Sequence, residues 1–490
     1  MKLIRIGDGI VNRFISLLEQ GTTRCPASSA VVANYPNDAL PDAPRRWRIN
    51  CRGSWLSRII ALPIFFGSIL ILYAQTTYYV ATNGTTSNSG LSTNSPWSLA
   101  KVNYNASIPA RSIIIVLPGV YEETNSQNTT QGPVIYSPYI TFKSQVQWGA
   151  VLRNSGVYGI QVLTSNITID GFQIVNAYSS GISGYNSHWN YSSNLTVRNC
   201  WISYCGTNPA SGKGPSGIAN SPQDNTSISN NLIEHIGNST EAIYDHGIYV
   251  AGTNLILANN VIRYCSGAGI QFNDHMTGGT GSTNVLIYNN LIYGNGHWGL
   301  YLESDNGNSV SVTMLNNTIV LCPFIICAAT VSPARTYLYC TNNILIYSGG
   351  TVDAGTGNGY GQTLNDGLAL SASSVINADY NIMSVVDNLP LGAHGIQTNN
   401  AWLVNTNIGL FWLTANSPAR GAAYSGLYPT NDFFGNTQTS SVDIGAFQYN
   451  VLYSLDRRVL DPSPVYPDYW LDLTQLLPPS HLRIVPGSGQ

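Results

Sequence analysis

A pair of asparagines recurs in this chain at a nearly fixed interval. Asn230, Asn259 and Asn289 each open a pair, in steps of 29 and 30 residues. Each pair sits in a segment of the form Asn-x-x-(Ile/Leu)-x-Asn-Asn-(apolar)-Ile, and Gly-(Ile/Leu)-x-(apolar) follows, as in NLILANNVI and then GIQF. A repeat of this length means that one small unit is stacked many times, so it constrains the fold before any local propensity does.

Within the unit the apolar spacing is two: Leu255 and Leu257 point one way and Ile256 the other. Short period-two runs broken by Asn and Gly are strands joined by tight turns. Asn tolerates the left-handed backbone such turns need. The apolar residues at i, i+3, i+4 and i+7 that a helical repeat requires are missing. The unit extends upstream to Asn166–Ile174 and Asn194–Ile202, and downstream to Ser311–Ile319 and Leu338–Ile346. Aligned, it gives an apolar column Ile169, Val197, Ile228, Leu257, Ile287, Met314, Cys340. A second column runs Ile174, Ile202, Ile233, Ile262, Ile292, Ile319, Leu345, and a third Asn231, Asn260, Asn290, Asn317, Asn343. Parallel strands stack about 4.8 Å apart, so like side chains lie on like. The apolar columns predict a continuous core, and the Asn column a hydrogen-bonded ladder. The expected fold is all-β: a right-handed parallel β-helix, a solenoid with three short strands per turn.

These features resemble the pectate-lyase-like right-handed β-helix repeat proteins. Thr77–Gly84 (TYYVATNG), Ser95–Trp97 (SPW) and Leu117–Tyr121 (LPGVY) are similar to the opening segment of secreted members. Ser417–Gly421 (SPARG), Asp432–Asn436 (DFFGN) and Val442–Gln448 (VDIGAFQ) resemble the terminal segment called choice-of-anchor Q. The resemblance spans Thr77–Asn450 and implies polysaccharide as the partner and lyase or glycoside hydrolase chemistry. The fold carries many functions, so chemistry has to be sought residue by residue.

The chain divides into six parts. Residues 1–54 hold eight Lys/Arg and no strand repeat, as expected of an unstructured extension or of a start site placed too early. Residues 55–74 contain Ile59–Tyr73, a charge-free run of 15 that fits a signal-peptide core better than a membrane span, with an N-terminal anchor as the alternative. Residues 75–156 are expected to form the N-terminal cap and first coils, and 157–348 the regular rungs. The last coils, a long Gly-rich loop (Gly349–Leu370) and the terminal segment fall in 349–450. A Pro-rich tail makes up 451–490. The protein is thus expected to be secreted or held at the cell surface. After residue 74 the formal charge is −8, which disfavours nucleic acid and anionic membrane surfaces as partners and leaves uncharged glycans open. An acidic glycan would need a local basic patch. A monomer is expected.

Six cysteines follow the signal-like segment. Cys205, Cys265 and Cys322 fall in one column two turns apart, too far for bridges, and Cys340 sits in an apolar column. These four are expected to be small buried hydrophobes.

The candidate site lies on the Gly-Ile strands. With Ile248, Ile270 and Leu300 facing in, Tyr249, Gln271 and Tyr301 face out, flanked by Trp298 and His275, as a platform for sugar rings. The plainer alternative is that Tyr suits strand surfaces. Asp245, His246 and Glu241 form a candidate general acid/base group, with Lys213 placed to reach over the face as base or carboxylate-holding cation. Asp274, Glu303 and Asp305 offer oxygen ligands for a candidate Ca²⁺, though no cofactor is required. Solvated turn residues are the alternative for all of these. Arg263 shares a column with Glu234 and is expected to form an ordinary ion pair. Neither a pectate-lyase motif nor the Asp set of a β-helix glycosidase is visible. A non-catalytic glycan-binding or spacer protein is therefore the alternative to an enzyme.

Overall fold

The structure is a computed structural model. It describes residues 75–449, apart from 104, 106, 123–131, 154–155, 185–192, 208–213, 221–223, 239–243, 273–280, 305–307, 331–333, 347–367, 371–373, 385–389, 406–409 and 439–440, together with Arg458. The N-terminal extension, the signal-like segment and, Arg458 aside, the Pro-rich tail lie outside the described residues.

The period-two runs form strands that stack in parallel, one coil on the next, into three sheets. Among the described residues, sheet A has eleven strands, from Thr77–Val80 to Val375–Asp379. Sheet B has eleven, from Gly119–Glu122 to Ile396–Gln397, and sheet C nine, from Val134–Ile135 to Leu368–Leu370. The first predicted column is matched rung by rung in sheet A, from Ile169 to Cys340. The second is matched in sheet B, from Ile174 to Leu345. Both columns are buried in one continuous core. The open edge of Thr77–Val80 is met by Trp97, which pairs with Val80 and stacks on Tyr78 at 4.1 Å. That contact blunts a strand edge that would otherwise recruit another chain.

The asparagine pair divides its labour. The first member (Asn230, Asn259, Asn289, Asn316, Asn342), like Asn199 before Cys200, turns the corner from sheet A to sheet B with φ of 51 to 61°, a left-handed conformation that Asn accepts at little cost. The second points inward. Asn231, Asn260, Asn290, Asn317 and Asn343 each donate an Nδ2 proton to the Oδ1 of the next rung at 2.9–3.0 Å, and the ladder runs on to Asn381. Each also donates to a backbone carbonyl, from Val197 O at 3.1 Å to Cys340 O at 2.9 Å. The buried amides are thereby satisfied, which a polar group in this core requires.

A glycine column lines the other side. A Cβ on Gly159, Gly181, Gly217, Gly247, Gly269 or Gly299 would come within 2.3–2.6 Å of the Cγ2 of Ile174, Ile202, Ile233, Ile262, Ile292 or Ile319. Each isoleucine branch occupies the space a side chain would take. The next rung has Ile325 in the glycine position and Leu345 in the isoleucine position, both in the core.

All six cysteines after residue 74 are free and buried, and burial pushes the Cys205 thiol up to about 12 and the Cys322 thiol up to about 11. One expectation needs adjustment. Gly349–Leu370 does not end as loop: Leu368–Leu370 is a strand of sheet C, paired in parallel with Ile326–Ala328. Residues 401–449 pack back on the solenoid. Phe411, Phe433, Ile444 and Phe447 pack on Leu232, Val261, Leu291 and Val320, covering the outer face of sheet B. The corner asparagines help to hold this segment: Asn289 Nδ2 donates to Asn431 O at 2.7 Å, and Asn316 Nδ2 to Asp443 O at 3.0 Å.

Candidate functional site: the outer face of sheet C

From Asp170–Gln173 to Asp379–Ile382, every connection from sheet A to sheet B is two residues long. Connections from B to C range from three to 21 residues, and from C back to A from two to 11. Variation in the repeat is thus confined to the two margins of sheet C. Lys213, Glu241, Asp274, His275 and Asp305 all fall in these connections and lie outside the described residues.

The described candidates sit on the sheet itself. Tyr249, Gln271 and Tyr301 stand one above another on its outer side, while Ile248, Ile270 and Leu300 enter the core. The expected direction holds, but the expected exposure does not. Tyr249 is half-buried, Gln271 is 5% exposed, and Tyr301 and Trp298 are each 4% exposed. The cause is packing among the outward side chains. Trp298 stacks on Tyr301 at 4.5 Å, and both join Ala268, Phe324 and Cys327 in a small apolar cluster of their own. Gly299, not Trp298, faces the core. Beside this cluster Glu303 accepts from Gln271 Nε2 at 2.8 Å and from the Tyr301 hydroxyl at 3.4 Å. Both carboxylate oxygens are thereby engaged.

Asp245 and His246 do not form the expected solvent-facing acid/base pair. Asp245 is fully buried and turned toward the preceding loop: its Oδ2 accepts from Asn238 N–H at 2.9 Å. The carboxylate fills the space a Cβ on Gly237 would need, since that position lies 2.5 Å from Oδ2. His246 accepts the Ala268 N–H at Nδ1, at 3.2 Å, so its proton resides on Nε2. Its ring lies nearly parallel to Tyr249 at 5.7 Å. Burial, reinforced by the neighbouring His297, lowers its pKa to about 3, and burial lowers His297 too. A base this weak stays a neutral imidazole at neutral pH and offers no imidazolium acid.

Arg263 has the expected partner, in a setting the sequence did not indicate. It is buried, with Nη2 at 2.6 Å and Nε at 2.7 Å from Glu234 Oε2. Nη1 donates to the Tyr293 hydroxyl at 2.7 Å, and Trp201 Nε1 donates to the other Glu234 oxygen at 2.8 Å. Every strong partner is present, so the pair is structural.

One pairing escaped the sequence reading. Asp379 takes the His394 ring Nδ1 on Oδ2 at 2.9 Å and the His394 N–H on Oδ1 at 2.8 Å, and the histidine ring stacks on Tyr380 at 4.3 Å. Burial raises the Asp379 carboxyl, but the hydrogen bonds from His394 and Tyr380 outweigh it and hold it below its ordinary value. The signal available was Asp-Tyr-Asn in place of the Asn pair, with a Gly-rich turn 12 residues on. The pairing anchors that turn, where Gly392 at φ 77° crosses Asp379 with no room for a Cβ.

Residues 149–319 match the family model described as a right handed beta helix region. With the three parallel sheets, this makes the fold a right-handed parallel β-helix. Among solved structures, the chain is similar to pectate lyase Pel9A, at 17% identity and a TM-score of 0.51 over 76% of this chain and 96% of that one. A rhamnogalacturonan lyase matches at 15% identity and a TM-score of 0.39, over 75% of this chain and 97% of that one. XylC in complex with xylose matches at 11% identity and a TM-score of 0.36, over 76% and 98%. At these identities the likeness is one of fold. A search of curated proteins finds no match.

Proposed function

We propose that the protein is an exported β-helix that acts on a polysaccharide lying across the outer face of sheet C. The observation that carries this reading is the distribution of connection lengths. A solenoid varies its loops where it meets a ligand and keeps the rest constant, and here the variation frames one sheet. The half-buried Tyr249 offers a ring face, and the Gln271–Glu303–Tyr301 network offers fixed polar groups beside it. Export rests on the signal-like run at 55–74, and attachment at the cell surface on the resemblance of the terminal segment.

Asp245 and His246 are each committed to backbone N–H groups. In the lyase or hydrolase reading the acid and base therefore come from the connections, where Lys213, Glu241, Asp274, His275 and Asp305 lie. In the alternative reading the sheet binds glycan without turnover. One panel of plant and algal polysaccharides tests both. The parent protein should bind at least one of them, and Tyr249→Ala should weaken that binding about fivefold, the loss of one stacking contact worth about 1 kcal/mol. Unsaturated products would mark a lyase, new reducing ends alone a hydrolase, and neither a binder. A chelator is expected to leave binding unchanged, because both oxygens of Glu303, the described member of the candidate Ca²⁺ set, already have partners. Failure to bind any member of the panel, or full binding by Tyr249→Ala, would remove sheet C as the site.

A further inference from the structure

The terminal segment that covers sheet B contains a pocket of its own, away from sheet C. It has a volume of about 530 Å³ and is lined by Ser417, Arg420, Gly421, Thr437, Ser441, Asp443, Gln448 and Tyr449. That is within the range of small-molecule sites, roughly 300–1,000 Å³, but the lining here is polar.

Its framework is fixed by Asp443. Oδ1 accepts the Gly421 N–H at 2.6 Å and Oδ2 the Tyr449 N–H at 2.5 Å, while the Asp443 N–H donates to Gln448 Oε1 at 3.3 Å. The Asp443 carbonyl is held in turn by Asn316 on the solenoid, at 3.0 Å. Ser417 is likewise tied inward, donating to Ala401 O at 2.6 Å and accepting from Ala419 N–H at 3.2 Å. These groups build the wall. Arg420 is different. It is exposed, its guanidinium lies 3.8 Å over the Tyr449 ring, and Nη1 donates to Ala415 O. One face and one nitrogen are thus fixed, and its charge also acts on the Asp443 carboxylate of the same lining, leaving Nε and Nη2 for a ligand. Thr437 and Ser441 add hydroxyls on the same lining.

We infer that this pocket binds an acidic sugar unit, with the sugar carboxylate on the free edge of Arg420 and its hydroxyls on Thr437, Ser441 and Gln448. A planar guanidinium held by an aromatic face matches a carboxylate in two-pronged fashion, as a flexible ammonium would not. Hydroxyl and amide groups serve sugar hydroxyls because they both donate and accept. The rest of the chain makes the placement specific. After residue 74 the protein carries a formal charge of −8, so an acidic saccharide is repelled generally and admitted where a cation is presented. This site does not depend on the reading of sheet C.

Isothermal titration of the full chain with D-galacturonate, D-galactose and acetate, at matched ionic strength, tests the inference. Galacturonate should bind saturably, at least about tenfold tighter than galactose or acetate, and Arg420→Ala should weaken it by about tenfold or more, as expected for a lost charge-assisted pair. Arg420→Lys should restore part of the loss. Ser441→Trp, which leaves Arg420 in place and fills the pocket, should abolish binding and guards against a folding defect in the arginine variant. Tyr249→Ala should leave galacturonate binding unchanged, which separates this site from sheet C. The inference is overturned if galacturonate does not saturate, if acetate binds as tightly, or if binding survives both pocket variants.

Discussion

The corner between sheets A and B and the outer face of sheet C are built from the same repeat and behave in opposite ways. At the corner nothing varies: two residues, one in the left-handed conformation and one in the ladder, recur at each asparagine rung. Each amide there satisfies its neighbours above and below, so a change at one rung strands groups on two others. At sheet C the inward residues recur with equal regularity, but the outward ones change at every rung: Ala219, Tyr249, Gln271, Tyr301, Cys327. An interior is held constant by mutual dependence, and a surface is free to differ where each side chain answers to its own neighbours.

Three measurements bear on this contrast. Among single substitutions, Asn260→Leu should have the largest effect. It leaves the Asn231 N–H and Nδ2, the Ile228 carbonyl and Asn290 Oδ1 each short of a partner. At about 1–3 kcal/mol for each buried unsatisfied group, the loss should be about 4 kcal/mol or more in denaturant unfolding. A loss below about 1 kcal/mol would mean that the ladder is ornamental.

Acid comes next. The folded pKa of His246 is about 3, below its ordinary 6.5, so between those values the unfolded chain binds a proton that the folded one does not. Stability from His246 is therefore complete above pH 6.5 and falls by about 1.4 kcal/mol per unit as pH drops toward 3. Between pH 6.5 and 5, above most carboxylates, His246→Asn should flatten that slope. His297 pulls the same way and leaves a remainder. An unaltered slope in the variant would place His246 in contact with solvent. The smallest effect should come from lengthening a connection of sheet C. Two residues (Gly-Ser) inserted after Thr277 should change stability by less than about 0.6 kcal/mol, the loop-closure cost of even a doubled loop. The same insertion between Asn259 and Asn260 should abolish cooperative unfolding.

The interior was legible in the sequence because a stacked fold writes its register as a period. The columns through Ile262 and Leu257, and the ladder through Asn260, follow from counting. What did not repeat could not be counted. Tyr301 and Trp298 point outward as alternation requires, yet they are buried because they stack on each other and cluster with Phe324 from the next rung. Arg263 meets Glu234 as the shared column implies, but its other partner, Tyr293, packs on Phe411, some 150 residues later. Leu368–Leu370 is separated from Ile346 by 21 residues, which hid a strand that pairs with Ile326–Ala328. Asp379 and His394 meet across a turn that occurs once. In each case the missing information was a contact between segments unrelated by the repeat.

The ladder has one more property. From Asn231 to Asn343 each carboxamide gives one proton to the Oδ1 of the next rung, and Asn381 closes the row as an acceptor, its own Nδ2 donating to Cys340 O and Asp379 O. Six amide dipoles therefore lie head to tail along the solenoid axis, while the backbone bonds of the sheets run both ways and largely cancel. Like the peptide dipoles of an α-helix, such a row gives its two ends opposite signs, here positive toward Asn381. Asp379, held ionised by its N–H donors, stands two residues from that terminus and supplies the counter-charge. A coil that looks alike at every rung thus has an electrical direction, and a rung grafted onto its C-terminal end in reverse orientation would meet the wrong sign.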